Sequence, residues 1–231
     1  RCPVAVGETL TIVADITGYY SSSGAASAIC LWADSDFAGT INMIGDINCW
    51  RGASSTRTTA AVEGSGTFNL TGNLGEYQGS SYTTYRCQAL TLGGTADMVM
   101  IGDILSTGNQ GGLSLIGSGD FTITGDVTAV GSYYGIYITG SGAVTVDGSV
   151  TASANYPAIY SIYNVDFRIL AGNTITNVDG VPAINLIQWY MPNSGSITWV
   201  FQDELGADKT LFTEDISHGA PAVSDVRYGT V

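Results

Sequence analysis

Few side chains in this 231-residue sequence are of types that do chemistry. Four cysteines, Cys2, Cys30, Cys49 and Cys87, fall in the first 87 residues without the C-x-x-C spacing of a zinc or redox site. They suit disulfides and therefore an exported, oxidising location, extracellular or at a cell surface. The single histidine, His218, sits beside Gly219 with no cysteine or serine motif near it and reads as a surface residue. No G-x-S-x-G, phosphate loop or H-E-x-x-H occurs. A paired-carboxylate glycosidase needs two acids about 5 to 9 Å apart, and Asp34, Asp36, Asp120 and Asp166 have no evident partner for that work. The expectation is a non-enzymatic chain with no catalytic residues, no cofactor and no bound metal.

Aromatic and arginine residues offer recognition instead. Tyr19, Tyr20, Trp50, Arg51, Tyr77, Tyr82, Tyr85 and Arg86 fall in three stretches. Trp and Tyr faces can stack on sugar rings while a neighbouring Arg fixes hydroxyls, and Trp50 with Arg51 is the best pair for that. The same residue types favour protein interfaces, and packing against loop surface or an adjacent subunit is the preferred reading. Asn69-Leu70-Thr71 is a glycosylation sequon.

Composition limits what must position these groups. With 20 acidic and 7 basic side chains the net charge is −13, and the few basic residues are scattered, which argues against a nucleic-acid binder. At 45% apolar and 12% charged the chain is expected to fold. Its 31 glycines and 13 tyrosines, with abundant Ser and Thr, disfavour helices and suit short strands and tight turns, so an all-β fold is expected. No stretch approaches the roughly 20 apolar residues of a membrane-spanning helix. The chain starts at Arg1 without a leader-like segment, so a processed mature protein and an excised fragment are both open.

Internal repetition gives the architecture. TADMVMIGDILSTGNQGGLSLIG from Thr95, SGDFTITGDVTAVGSYYGIYITG from Ser118 and SGAVTVDGSVTASANYPAIYSIYN from Ser141 overlay with a period of 23 to 24 residues. Each unit holds an alternating run, a Gly-Asp corner, a second run, a polar loop and a third run. Alternation places Phe121 and Ile123 on one face and Thr122 and Thr124 on the other. One unit cannot bury its apolar face, whereas units stacked about 4.8 Å apart make a continuous core. The corner recurs at Ala14-Asp15, Gly45-Asp46, Gly72-Asn73, Gly102-Asp103, Gly125-Asp126, Gly148-Ser149 and Gly172-Asn173, which predicts a parallel β-solenoid of about seven coils with three short strands each. Gly can take φ > 0 there and Asp or Asn can bond neighbouring amides, so the acidic column reads as a structural ladder. The rival reading, calcium, needs six or more converging oxygens. Extra residues in the early coils are assigned to loops at about 17–27, 48–59 and 75–88, all leaving from one side. The solenoid is expected over 1–187, and residues 188–231 form either a cap or a strand-exchange arm.

The coil length, Gly-rich corners and inward Val, Ile, Leu and Phe resemble the parallel β-helix of pectate-lyase-like proteins, phage tailspikes and surface adhesins, over about residues 7–187. The resemblance implies a fold and leaves function open: the family's calcium-bound carboxylates and acidic pairs cannot be placed here residue by residue. By composition the chain is also similar to polymerising envelope proteins, including archaeal sheath proteins. A solenoid ends in open strand edges that template pairing unless covered, and CPVAVGETLTIVADI runs almost directly into the first coil with only Pro3 and Glu8 as protection. The leading expectation is a secreted structural subunit whose partners are copies of itself, polymerising into an envelope layer, sheath or filament. A glycan-binding adhesin or phage tail component comes second, and a polysaccharide lyase or hydrolase third. Cys49 with Cys87 on adjacent coils is the first disulfide expected and Cys2 with Cys30 the second, with Cys30 facing outward. Bonds between subunits are the alternative.

Overall fold

A computed structural model of the chain describes residues 4–20, 29–51, 57–78, 87–107, 111–130, 134–152 and 158–161, and the backbone of five strands between 167 and 215. In chain order these begin with β1 (Thr9–Val13), β2 (Ile16–Tyr20), β3 (Leu31–Ala33), β4 (Thr40–Ile44), β5 (Ile47–Arg51), β6 (Arg57–Val62), β7 (Thr67–Thr71), β8 (Leu74–Gln78) and β9 (Cys87–Leu92). Shorter rungs follow: β10 (Asp97–Ile101), β11 (Ile104–Ser106), β12 (Leu113–Leu115), β13 (Phe121–Thr124), β14 (Val127–Ala129), β15 (Ile136–Ile138), β16 (Val144–Asp147), β17 (Val150–Ala152) and β18 (Ile159–Ser161). The last are β19 (Phe167–Ile169), β20 (Ile175–Asn177), β21 (Ile184–Asn185), β22 (Ser196–Gln202) and β23 (Asp208–Asp215).

Every third strand pairs with the next, so three parallel sheets run the length of a β-solenoid. The first sheet has nine strands in the order β1-β4-β7-β10-β13-β16-β19-β22-β23, the second seven from β2 to β20, and the third seven from β3 to β21. Among the described strands only β23 is antiparallel: it folds back on β22 and continues the first sheet beyond its last parallel rung. Within the C-terminal stretch, β22 and β23 therefore form an antiparallel pair on one of the three sheets.

Alternation along each strand becomes columns of like residues across the coils. Ile41, Phe68, Met98, Phe121 and Val144 form one inward column of the first sheet, and Met43, Leu70, Met100, Ile123 and Val146 the next. Ile47, Leu74, Ile104, Val127 and Val150 face them from the second sheet, and Leu90, Leu113, Ile136 and Ile159 from the third. All are buried, and each such side chain contributes on the order of 2 kcal/mol by leaving water.

The corner between the first and second sheets has one construction repeated. The Asp46 amide donates to Asp15 Oδ1 at 2.9 Å, Asn73 to Asp46 Oδ1 at 2.7 Å, and Asp103 to Asn73 Oδ1 at 2.8 Å. Asp126 donates to Asp103 Oδ1 at 2.8 Å and Ser149 to Asp126 Oδ1 at 2.7 Å. The preceding glycines at 45, 72, 102 and 125 hold φ between +136° and +149°, a region that side chains rarely enter. The acidic column is thus a ladder in which each carboxylate or amide oxygen accepts from the next coil's main chain. The Gly172-Asn173 corner lies outside the described residues.

Two substitutions separate the parts of this corner. Asp103→Ala removes the acceptor for the Asp126 amide and is expected to cost about 1–2 kcal/mol. Gly125→Ala must hold its φ of +147° and would drive a Cβ into the Gly102 carbonyl, so it should cost more. Urea denaturation of both variants measures the order, and Gly125→Ala behaving like wild type would contradict it.

Candidate functional site

The expected loops begin later than their sequence suggests, because pairing carries the strands of the second sheet outward to Tyr20, Arg51 and Gln78. The connecting segments at 21–30, 52–56 and 79–86 leave from the same corner, between the second and third sheets. Tyr19, Trp50 and Tyr77 consequently lie on strands, in register, as one outward column. Rungs about 4.8 Å apart suit ring stacking, and the Trp50 and Tyr77 rings lie with centroids 4.4 Å apart and planes 15° apart. Tyr19 is 73% exposed and Trp50 49%. Stacking turns the faces of Trp50 and Tyr77 toward each other, whereas a sugar platform needs those faces turned to solvent. Tyr20 and Arg51 extend the same strands by their backbone, while Tyr82, Tyr85 and Arg86 lie outside the described residues.

A second aromatic group was not singled out in the sequence. Tyr134, Tyr137 and Tyr160 stack on the third sheet with centroids 4.6 to 5.7 Å apart. Tyr137 and Tyr160 are register partners one repeat apart, and that spacing was the available signal. Trp32, 60% exposed on the first coil, donates its Nε1 proton to Glu63 Oε2 at 3.0 Å.

Inside the loop-bearing corner the columns become small and polar. The second sheet places Gly18, Cys49, Glu76, Ser106, Ala129 and Ala152 in one register column. Cys49, Glu76 and Ser106 are wholly buried. A buried carboxyl is costly unless hydrogen-bonded: Ser106 Oγ donates to Glu76 Oε2 at 3.1 Å. At the start of the third sheet the Cys30 amide donates to the Thr59 carbonyl. The two side chains then make matching contacts to the second sheet, Thr59 Oγ1 to the Gly75 carbonyl at 3.4 Å and Cys30 Sγ to the Asn48 carbonyl at 3.7 Å. Cys30 is therefore turned in against the core rather than outward. It precedes β3 at the corner, where strand alternation does not govern direction. Alternation from inward Leu74 places Glu76 on the inward face of β8, and it is the residue type, a carboxylate that ordinarily stays in water, that argues against reading it as buried.

The remaining candidates fall on outer surfaces. Asn69 projects outward from the first sheet as alternation requires and is half-buried, its Nδ2 donating to Asn42 Oδ1 at 2.9 Å. The nitrogen that a glycan would occupy thus takes part in an asparagine ladder. Asp97 Oδ1 accepts the Asp120 amide at 2.9 Å and Asp120 Oδ1 the Ala143 amide at 2.8 Å, a second short ladder. Asp34 Oδ1 accepts the Asp36 amide at 3.2 Å. Among the described residues no group of three or more His, Cys, Asp or Glu is arranged for a metal ion. Cys87 opens β9 on the third sheet beside Arg57, one sheet away from Cys49. Cys2, Asp166 and His218 lie outside the described residues.

The first coil differs from those behind it. Leu10, Ile12, Ile16 and Leu31 are only partly buried, whereas their register partners Ile41, Met43, Ile47 and Ala60 are buried. Among the described residues nothing pairs with the outer edges of β1, β2 and β3. The amides of Ala14 and Ile16 point to the second coil, bonding Ile44 and Asp46, so those of Thr11 and Asp15, alternate in the strand path, face the open side. Val13, Tyr19 and Trp32 are exposed beside that edge.

If Glu76 is held chiefly through Ser106, Glu76→Gln should keep an acceptor and stay close to wild type. Glu76→Ala should lose about 1–3 kcal/mol by leaving a buried hydroxyl and a void. Thermal unfolding compares them, and equal losses would show that hydrogen bonding there is unimportant. No protein-family model matches the chain, and comparison with curated proteins and with solved structures gives no match.

Proposed function

We propose that this chain is a secreted, non-catalytic structural protein that self-assembles by β-strand stacking into a cell-envelope layer, sheath or filament. The observation that carries the reading is a first rung whose outer edge no other strand pairs with among the described residues, with half-buried Leu10, Ile12 and Ile16 above a buried second rung. A parallel edge of this kind offers both backbone hydrogen bonds and apolar surface to a further coil. A second copy is the occupant proposed here, because a heterologous contact between unlike ends propagates. The corner ladder would propagate with it: Asp46 donates its amide to Asp15, and Asp15 would donate its own to an acceptor on the arriving rung.

The non-catalytic part rests on how the acids are used. Asp15, Asp46, Asp97, Asp103, Asp120 and Asp126 each accept a main-chain amide from the next coil, which is work for a scaffold. The glycan-binding reading draws less support, since the Trp50 and Tyr77 faces are turned to each other.

Light scattering and negative-stain electron microscopy over a concentration series test the proposal. Growth into regular fibres or sheets is expected, and a concentration-independent monomer overturns it. Thr11→Pro removes an edge amide outside the chain's own ladder, a position where proline is tolerated. It should weaken association at least about tenfold while leaving the circular dichroism spectrum unchanged.

A further inference from the structure

We infer that Cys30 and Cys49 are the residues that form an intramolecular disulfide, stapling the first coil to the second inside the loop-bearing corner. The sulfur of Cys30 lies 3.7 Å from the carbonyl oxygen of Asn48, the residue directly before Cys49. Cys49 is wholly buried on the inward side of β5. Its register neighbour toward the first coil is Gly18, which carries no side chain to separate the two sulfurs. Cys30 packs against the core from the adjoining sheet. Both side chains thus lie at one corner on successive coils, Cys49 facing inward and Cys30 packed against the core, the mutual orientation a disulfide requires.

The position also has a physical consequence. Coil-to-coil contacts in a solenoid are nearest-neighbour only, and the end coil has a neighbour on one side alone. Among the described residues the first coil pairs on one side alone and holds its apolar residues half-buried, which makes it more open than the coils behind it. A covalent tie to the second coil acts where fraying would otherwise begin. Formation requires a two-electron oxidant, and a small-molecule disulfide such as oxidised glutathione supplies it. The half-buried Cys30 thiolate attacks one sulfur of that disulfide and expels a glutathione thiolate. The Cys49 thiolate then attacks the Cys30 sulfur of the mixed disulfide and expels the second glutathione. Two protons leave the protein and the glutathione disulfide is reduced to two thiols.

Peptide mapping by mass spectrometry, after incubation with oxidised glutathione and alkylation without reductant, tests the inference on the full chain. A linked peptide pair containing Cys30 and Cys49 is expected, and it should persist in Cys87→Ser. The tie should raise the thermal midpoint by roughly 5 to 10 °C, a gain abolished by reductant and absent from Cys49→Ala. Linkage of Cys49 to Cys87, of Cys30 to Cys2, or recovery of Cys30 and Cys49 fully alkylated would overturn it. The mapping reads the monomer's covalent chemistry, so its result stands apart from whether copies associate.

Discussion

Everything in this molecule depends on rungs remaining in register. When each coil repeats the position of the one before it, every main-chain amide finds a carbonyl, and each side chain lands above one of its own kind. A slip by one residue would turn the Phe68, Met98 and Phe121 column to solvent and bring threonines inside. The corner glycines and the Asp-Asn ladder guard against that slip. They recur at one point of each coil and accept only a matching neighbour.

The same rule explains what the exposed groups do. Side chains in columns about 4.8 Å apart interact with each other before anything else. Trp50 stacks on Tyr77, Asn69 bonds Asn42, and the corner acids bond amides of the next coil. Residue types that would suggest sugar binding, glycosylation or metal binding on an isolated loop are here occupied with stacking. Among the described residues, no further strand pairs the outer edges of β1, β2 and β3.

Among the described residues the interior departs from pure apolar packing mainly at the corner between the second and third sheets, with Ser161 a further buried polar residue on the third sheet. Cys49, Thr59, Glu76 and Ser106 are buried there, and in later coils the corresponding second-sheet positions are Ala129 and Ala152. Cys49, Thr59 and Glu76 lie in coils that carry long connections between their second and third strands, and Ser106 continues the polar column into the first short coil. Side chains reaching from one sheet to the main chain of another, as Thr59 does to Gly75, tie the corner where the chain leaves the repeat.

The sequence by itself determined the solenoid, its corner ladder and the inward columns, because a period of 23 to 24 residues with alternation inside it allows one stacking arrangement. It also located the outward direction of Asn69 and the side from which the long connections leave. Only the tertiary structure decided that Tyr19, Trp50 and Tyr77 belong to strands, that Glu76 is buried and that Cys30 turns inward. Glu76 is inward by alternation from Leu74 but of a type that rarely leaves water, and the other two outcomes arise at strand ends and a corner, where local alternation ceases to fix direction. There the partner a residue meets comes from another sheet or another coil, and no run of neighbouring residues contains that information.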